Sequence, residues 1–226
     1  MATNSENISA KERLLEAGLA VFGRYGFEPS TTRAIARRAG VNMAAIPYYY
    51  DGKEGLYLAV VAHVAQRIEE RMADTLAAVG ALAAEGRPSG EAAPALLERL
   101  LGDLIDFMVG SSGAVRFARI LLREQLHPSS AYETIFNRIM APLIDAIARL
   151  LAVATGTTDM RRLRIRALSM IGQVMAFRVA RESMVRMLDM AGYSADETEE
   201  IRRVVLEQTR FVLQGMGEKN ASVSLG

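Results

Sequence analysis

Few side chains in this protein can do covalent chemistry. Its 226 residues include no cysteine and two histidines, His63 and His127. Disulfides, thiolate metal sites and cysteine nucleophiles are therefore excluded, and a multi-histidine metal centre has too few ligands. The Glu-x-x-His pair Glu124/His127 stands alone, whereas a carboxylate-bridged metal bundle needs such pairs on facing helices. No glycine-rich phosphate loop or nucleophile elbow occurs. The expectation is no catalytic residue, no metal and no cofactor. What remains is phosphate chemistry in one place: Arg24, Arg33, Arg37, Arg38 and Lys53 stand against Glu28 and Asp51, in a chain of net charge +1. Tyr48, Tyr49 and Tyr50 lie among them. Cations, hydroxyls and helix N-terminal amides are the groups that hold phosphates and fix register on a duplex.

The stretch TTRAIARRAGVNMAAIPYYYDGK (31–53) predicts two short helices, about 32–39 and 43–50, joined at Gly40. That is the plan of a helix-turn-helix. Ala36, four residues before Gly40, lets the helices cross closely, and Gly40 can end the first one in the left-handed conformation. Ile35, Val41 and Ile46 supply an apolar wedge, and Asn42 is expected to cap the second helix. Pro47 lacks an amide, which predicts a kinked or short helix there.

Helical periodicity dominates the remainder. After a polar arm at 1–8, Ser9 and Glu12 have capping-box spacing, ahead of a stripe of Leu14, Leu15, Ala17, Gly18, Val21 and Phe22 that ends near Gly26. A long helix runs from Lys53 into the low eighties, where EGRPSGE (85–91) breaks it. Further helices are expected at about 91–109, 114–127, 130–154, 159–190 and 195–215, with breaks at 110–113, 128–130, 156–158 and 192–194 and a frayed tail from 217. Ser130/Glu133 and Ser194/Glu197 repeat the capping-box spacing. The prediction is an all-α protein of about nine helices. A three-helix helix-turn-helix domain, 1–53, is joined by the long helix to a helical bundle, 54–226.

The start lacks the cationic and apolar pattern of a signal peptide, and the longest uncharged run, Gly55 to Gln66, is shorter than the roughly 18 apolar residues of a membrane span. The expectation is a cytoplasmic protein with no membrane partner. A second basic run holds Arg161, Arg162, Arg164, Arg166, Arg178, Arg181 and Arg186 against Glu182. The last helix is acidic, so ion pairs between these neighbouring helices are expected rather than a second nucleic-acid surface. Within the run, ALSMIGQVMAF (167–177) is apolar nearly all round, as in a helix buried on both sides.

Several segments together resemble a known family. AVFGRYGF (20–27), TTRAIARRAGVN (31–42), AIPYYY (45–50) and GKEGL (52–56) are similar to the N-terminal domain of TetR-type transcriptional regulators. LREQLHPSSAYETIF (122–136) and RALSMIGQVMAFRVARE (166–182) resemble the C-terminal domain of a CecR-like subgroup. The resemblance implies a homodimeric regulator of double-stranded DNA with a palindromic operator, released by a small, largely apolar effector; repression is the family's usual sign, and the sequence leaves activation open. Carried over position by position, it places Thr32 at a phosphate, Arg33 within reach of a base, and Met43, Ala44 and Ala45 on the base-facing turn, with Asn42 leading into it. Tyr48, Tyr49 and Lys53 match phosphate contacts, and Pro47 departs from the family pattern. The last two helices would form a four-helix dimer interface through Leu168, Ile171, Met175, Val205, Phe211 and Val212.

Polar groups on apolar helices mark the candidate effector site: Arg116, Arg119, Glu124, His127 and Gln173, with Phe107, Met108, Phe117, Met140 and Phe177 as walls. Two alternatives stand beside the sensor reading. In one the C-terminal half only dimerises or docks a protein partner; in the other the chain is an all-α enzyme.

Overall fold

The computed structural model describes residues 9–84, 92–110 and 114–223, and every regular element among them is helical. The helices are α1 (Ala10–Tyr25), α2 (Thr32–Ala39), α3 (Ala45–Tyr50), α4 (Lys53–Ala84), α5 (Ala92–Ile105), α6 (Ala114–Leu126), α7 (Tyr132–Ile135), α8 (Ala141–Thr155), α9 (Met160–Val179), α10 (Arg181–Met187) and α11 (Ala195–Val223). The last turn after α5, Asp106–Gly110, and the link from α7 to α8, Phe136–Met140, are π-helical. The expected arm at 1–8 and the breaks at 85–91 and 111–113 lie outside the described residues.

By packing, the chain forms two compact units, Met1–Arg67 with Val115–Phe136, and Ile68–Ala114 with Asn137–Gly226. The packing division falls within α4, and α6 and α7 pack with the N-terminal helices.

In the first unit, the Ser9 hydroxyl accepts the Glu12 amide at 3.2 Å and the Glu12 carboxylate accepts the Ser9 amide at 2.9 Å, closing the expected capping box. Leu14, Phe22, Ile35, Ile46, Leu56 and Val60 are fully or almost fully buried, so α1, α2, α3 and the start of α4 share one core. The Phe22 and Tyr57 rings meet edge to face at 5.0 Å, and Phe27 lies 5.1 Å from Tyr57. The capping box expected at Ser130/Glu133 does not form. The Ser129 hydroxyl accepts the Ala131 amide at 3.1 Å, while Ser130 donates to Glu54 at 3.1 Å. The N-cap of α7 is Ala131, which has no side-chain bond, and Ser129 fixes the turn before it.

In the second unit, α5, α8, α9 and α11 pack through Leu97, Leu100, Leu101, Ile147, Leu151, Leu163, Met170 and Val174, all buried. The box at Ser194/Glu197 forms, with the Ser194 amide donating to Glu197 at 2.6 Å. The helix expected over 159–190 is broken at Ala180, and α11 runs past its expected end near 215 to Val223. Ion pairs tie the bundle, but with other partners than expected. Arg164 of α9 meets Asp145 of α8 at 2.8 Å, and Arg210 of α11 meets Glu98 of α5 at 2.6 Å. Arg202 reaches Asp106, which also lies 3.6 Å from Arg71. Nor is 167–177 buried on both sides within one chain: Ala167, Met170, Ile171 and Val174 face the core, while Leu168 is half exposed.

Candidate nucleic-acid interface

The geometry of residues 26–55 follows from a few turn residues. Thr31 starts α2 by accepting the Ala34 amide on its hydroxyl at 3.2 Å. Thr32 and Arg33 therefore occupy the first turn. Gly40 ends the helix at φ 64°, ψ 38°, and the Val41 amide returns to the Ala36 carbonyl at 3.1 Å. A Cβ at Gly40 would meet nothing within 4 Å, so glycine is required there by backbone conformation and not by crowding.

Asn42 acts one turn earlier than expected. Its side-chain oxygen accepts the Ala44 amide at 2.9 Å, which fixes the turn before α3, while the N-cap of α3 itself is Ala44 and has no side-chain bond. Pro47 fits this arrangement. The carbonyl that a residue-47 amide would have used, that of Met43, already accepts the Ile46 amide at 3.1 Å. The helix is short, six residues, and no acceptor is stranded by the proline. Asp51 closes it at φ 58°, a left-handed position that aspartate tolerates. The corner is then locked by Gly55, where a Cβ would lie 1.7 Å from the Tyr50 carbonyl oxygen. The Tyr50 hydroxyl donates to the Lys11 carbonyl at 2.7 Å and ties α3 back to α1.

This frame leaves one set of groups exposed. Arg33, Arg37, Arg38, Asn42, Met43 and Ala44 are exposed, Thr32 and Ala45 half-buried and Ile46 buried. Tyr48 is 80% exposed, with its ring edge-on to Tyr49 at 4.8 Å. Among the described residues Arg33, Arg37 and Arg38 enter no ion pair. Lys53 is pre-placed: its ammonium donates to the Glu28 carbonyl at 3.2 Å and stands 4.3 Å from the centre of the Phe27 ring. An ammonium has three donors, so two remain for a phosphate.

Residues 14–60 match the family pattern described as bacterial regulatory proteins, tetR family, and residues 93–216 match that of the HTH-type transcriptional dual regulator CecR, C-terminal domain. The HTH-type transcriptional dual regulator CecR of Shigella flexneri is 32% identical over 212 residues, 93% of this chain and 94% of that one. The chain belongs to the TetR family of transcriptional regulators, with a CecR-type C-terminal domain. It is thus one of a family of DNA-binding regulators and not of enzymes. The regulator RutR of Escherichia coli K12 is 38% identical over 61 residues, 26% of this chain and 29% of its own. Two solved structures share the fold. A TetR regulator from Haloarcula marismortui has TM-score 0.59 at 19% identity, covering 88% of this chain and 95% of that one. FadR from Bacillus subtilis, in complex with stearoyl-CoA, has TM-score 0.58 at 18% identity, covering 86% and 95%.

The residues expected to bind an effector in this TetR-family chain divide between the two units. Arg119, Glu124 and His127 line a cavity of about 790 Å³ within the first unit. Arg116 lies instead on a smaller cleft beside Arg13, Glu16 and Arg38, and Phe117 is half-buried on the same helix, α6. Phe107, Met108, Gln173 and Phe177 belong to the second unit, where Phe107 and Met108 are buried in its core. The Gln173 side-chain oxygen is buried with no hydrogen-bond partner among the described residues.

Glu124 is 2% exposed and fully engaged. It accepts the Tyr57 hydroxyl at 2.6 Å and both the amide and the hydroxyl of Ser129 at 3.0 Å. Burial, then the bond to Glu124, push the Tyr57 phenol well above its ordinary range. Both Glu124 oxygens are thus spent on Tyr57 and Ser129, and no cluster of three or more metal-ligating side chains occurs among the described residues. Sequence reasoning missed the other walls of the cavity, chiefly Arg24, Tyr25, Phe27 and Arg123. The available signal was Gly26, whose φ of 89° marks a chain reversal, with Arg123 donating to the adjacent Tyr25 carbonyl at 3.0 Å.

The six candidate dimer residues divide. Leu168 and Phe211 are 52% and 63% exposed, Met175 and Val212 are half-buried, and Ile171 and Val205 are buried in the chain's own core. Ile165, Val179 and Val204, which sequence reasoning did not single out for this role, are exposed beside them in helical register. Among the described residues no single helix is long and apolar enough to cross a membrane.

Proposed function

We propose that this TetR-family chain is a cytoplasmic, homodimeric repressor that binds a palindromic operator and is released by a small, largely apolar molecule. The observation that carries the DNA side is the exposed set Arg33, Met43, Ala44 and Tyr48 on a corner locked by Gly40, Asn42 and Gly55. Thr32, Tyr49 and Lys53 hold phosphates, Arg33 reaches a base edge, and Met43, Ala44 and Ala45 read thymine methyls and groove shape. With one reading head per chain, two half-sites lie about one helical turn, roughly 34–36 Å, apart or at a multiple of it.

Dimerisation is supported by the apolar stripes on α9 and α11, where Ile165, Leu168, Val204 and Phe211 are 42–63% exposed. Such a patch marks an association surface on an otherwise polar helix. FadR, a fold neighbour that binds stearoyl-CoA, supports an apolar effector here. The Shigella flexneri relative is named a dual regulator, so the sign of regulation is part of the test.

Light scattering at micromolar concentration is expected to give twice the chain mass of 24.6 kDa, and a monomer there refutes the dimer. Effector release is tested by titrating a duplex selected from a random pool, with and without a compound found by thermal-shift screening. A coupling of about 1–3 kcal/mol, a roughly 5–150-fold loss of DNA affinity, is expected. A tightly bound compound that leaves DNA affinity unchanged refutes release.

A further inference from the structure

The cavity of the first unit is walled by the loop that launches α2. Phe27, Glu28 and Pro29 form one side, and Tyr57 and the last turns of α6 with Pro128 and Ser129 form the other. Its volume of about 790 Å³ lies in the range of small-molecule sites, about 300–1,000 Å³. Apolar groups dominate, and two of them, Tyr25 and Leu126, are 52% and 65% exposed at the rim. The charge is one-sided. Arg24, Arg119 and Arg123 line it against Glu28, while the other carboxylate, Glu124, is spent on Tyr57 and Ser129.

From this pairing of an apolar hollow with three guanidinia we propose that the cavity binds a small organic anion with an apolar body, and that the anion opposes DNA binding. The site deepens the reading of an effector-released regulator and rests on it for the second half of the claim. The apolar body fills the space between Phe27, Leu122 and Leu126, and the anionic head meets Arg24 and Arg119. Arg123 is already bonded to the Tyr25 carbonyl and holds the cavity's shape as well as its charge.

The route to the DNA surface is short. The same Glu28 whose side the ligand lines offers its carbonyl to Lys53, and the Phe27 ring lies beneath that ammonium. Two residues past Pro29 stands Thr31, the cap of α2. A ligand that binds best when the 27–29 loop has moved therefore changes the placement of Lys53 and the start of α2 together. Linkage then requires DNA to weaken the ligand by the same factor.

The chain has no tryptophan, so Tyr25→Trp gives a lone fluorescent reporter at the rim, and Leu126→Trp an independent second one. Each is titrated with decanoate and with decan-1-ol after a thermal melt has shown that the variant folds. The expected result is a saturable change in both reporters, with decanoate bound about tenfold more tightly than the alcohol. Adding Arg24→Gln and Arg119→Gln should erase that preference. No change at either reporter, equal affinity for the two probes, or a preference that survives the arginine changes overturns the site. So does loss of DNA binding by the arginine variants with no decanoate effect, which would assign those guanidinia to the duplex. The two claims fail separately. If a screened compound releases DNA without moving either reporter, effector release stands and this site falls. If decanoate occupies the site but leaves DNA affinity unchanged, the site stands and its opposition to DNA falls.

Discussion

Two arginine-rich stretches of the chain differ in what their guanidinia touch. Arg33, Arg37 and Arg38 beside Gly40 are exposed and enter no ion pair among the described residues. The run from Arg161 to Arg186 carries more charge, yet Arg164 is held by Asp145, Arg181 by Glu182, and Arg178 donates to the Met108 carbonyl at 2.6 Å. Arg161, Arg162 and Arg186 are exposed and, like Arg33, enter no ion pair among the described residues. The two stretches thus differ less in free guanidinia than in frame: Arg33 sits on an eight-residue helix set by Thr31 and Gly40, whereas the second run is spread over α9 and α10.

The largest effect should come from breaking the frame rather than the charges. Gly55→Ala drives a Cβ into the Tyr50 carbonyl, an overlap with rigid backbone that belongs at or above the top of the usual overpacking cost of about 1–3 kcal/mol. Loss of DNA binding and a lower melting temperature are expected; wild-type affinity in a filter-binding titration would show that the corner is not rigid. Arg33→Ala should cost about 1–3 kcal/mol on a selected operator and relax preference at one position in each half-site. Equal losses on selected and random duplexes would remove it from the base-reading set.

Tyr57→Phe should cost about 1–3 kcal/mol of stability, because Glu124 is left buried with one partner fewer. It also sharpens the pH profile. The raised phenol of Tyr57 contributes stability that is fully present below its ordinary value of 10.0 and is lost as pH rises from there toward the folded-state value. Urea melts of the wild type should therefore weaken more steeply above pH 10.0 than those of Tyr57→Phe; parallel profiles would count against the assignment. Lys53→Ala should weaken all duplexes alike and lower the salt slope by about one unit. Smallest of all, Arg210→Ala removes a pair with Glu98 at the surface and should leave thermal melts almost unmoved with DNA affinity unchanged.

The all-helical plan and the helix-turn-helix were legible because they rest on local signals. Gly40 needs a positive φ, Ser9/Glu12 satisfy their own amides, and Ile35 and Ile46 are the buried apolar residues of two short helices. Signals involving partners distant in sequence were not legible. Glu124 looked like a lone polar group until Tyr57, 67 residues away, was seen to bond it. The apolar run at 167–177 implied two covered faces, yet a single chain covers one. Capping-box spacing misled at Ser130/Glu133: the Ser130 hydroxyl is drawn to Glu54, 76 residues away, and α7 starts after Ala131 without a side-chain cap.

Asn42 fixes its turn with its own side chain, so Met43 and Ala44 are held in place without contributing to the core. On the base-reading role proposed for residues 43–45, substitution there should change what the protein recognises while leaving its folding almost untouched, and Ile46, fully buried two residues on, marks where that freedom stops. On that proposal, descendants of such a chain would drift to new operators through single-residue steps. The same separation makes residues 43–45 the place to randomise when a regulator of chosen sequence preference is wanted from this scaffold.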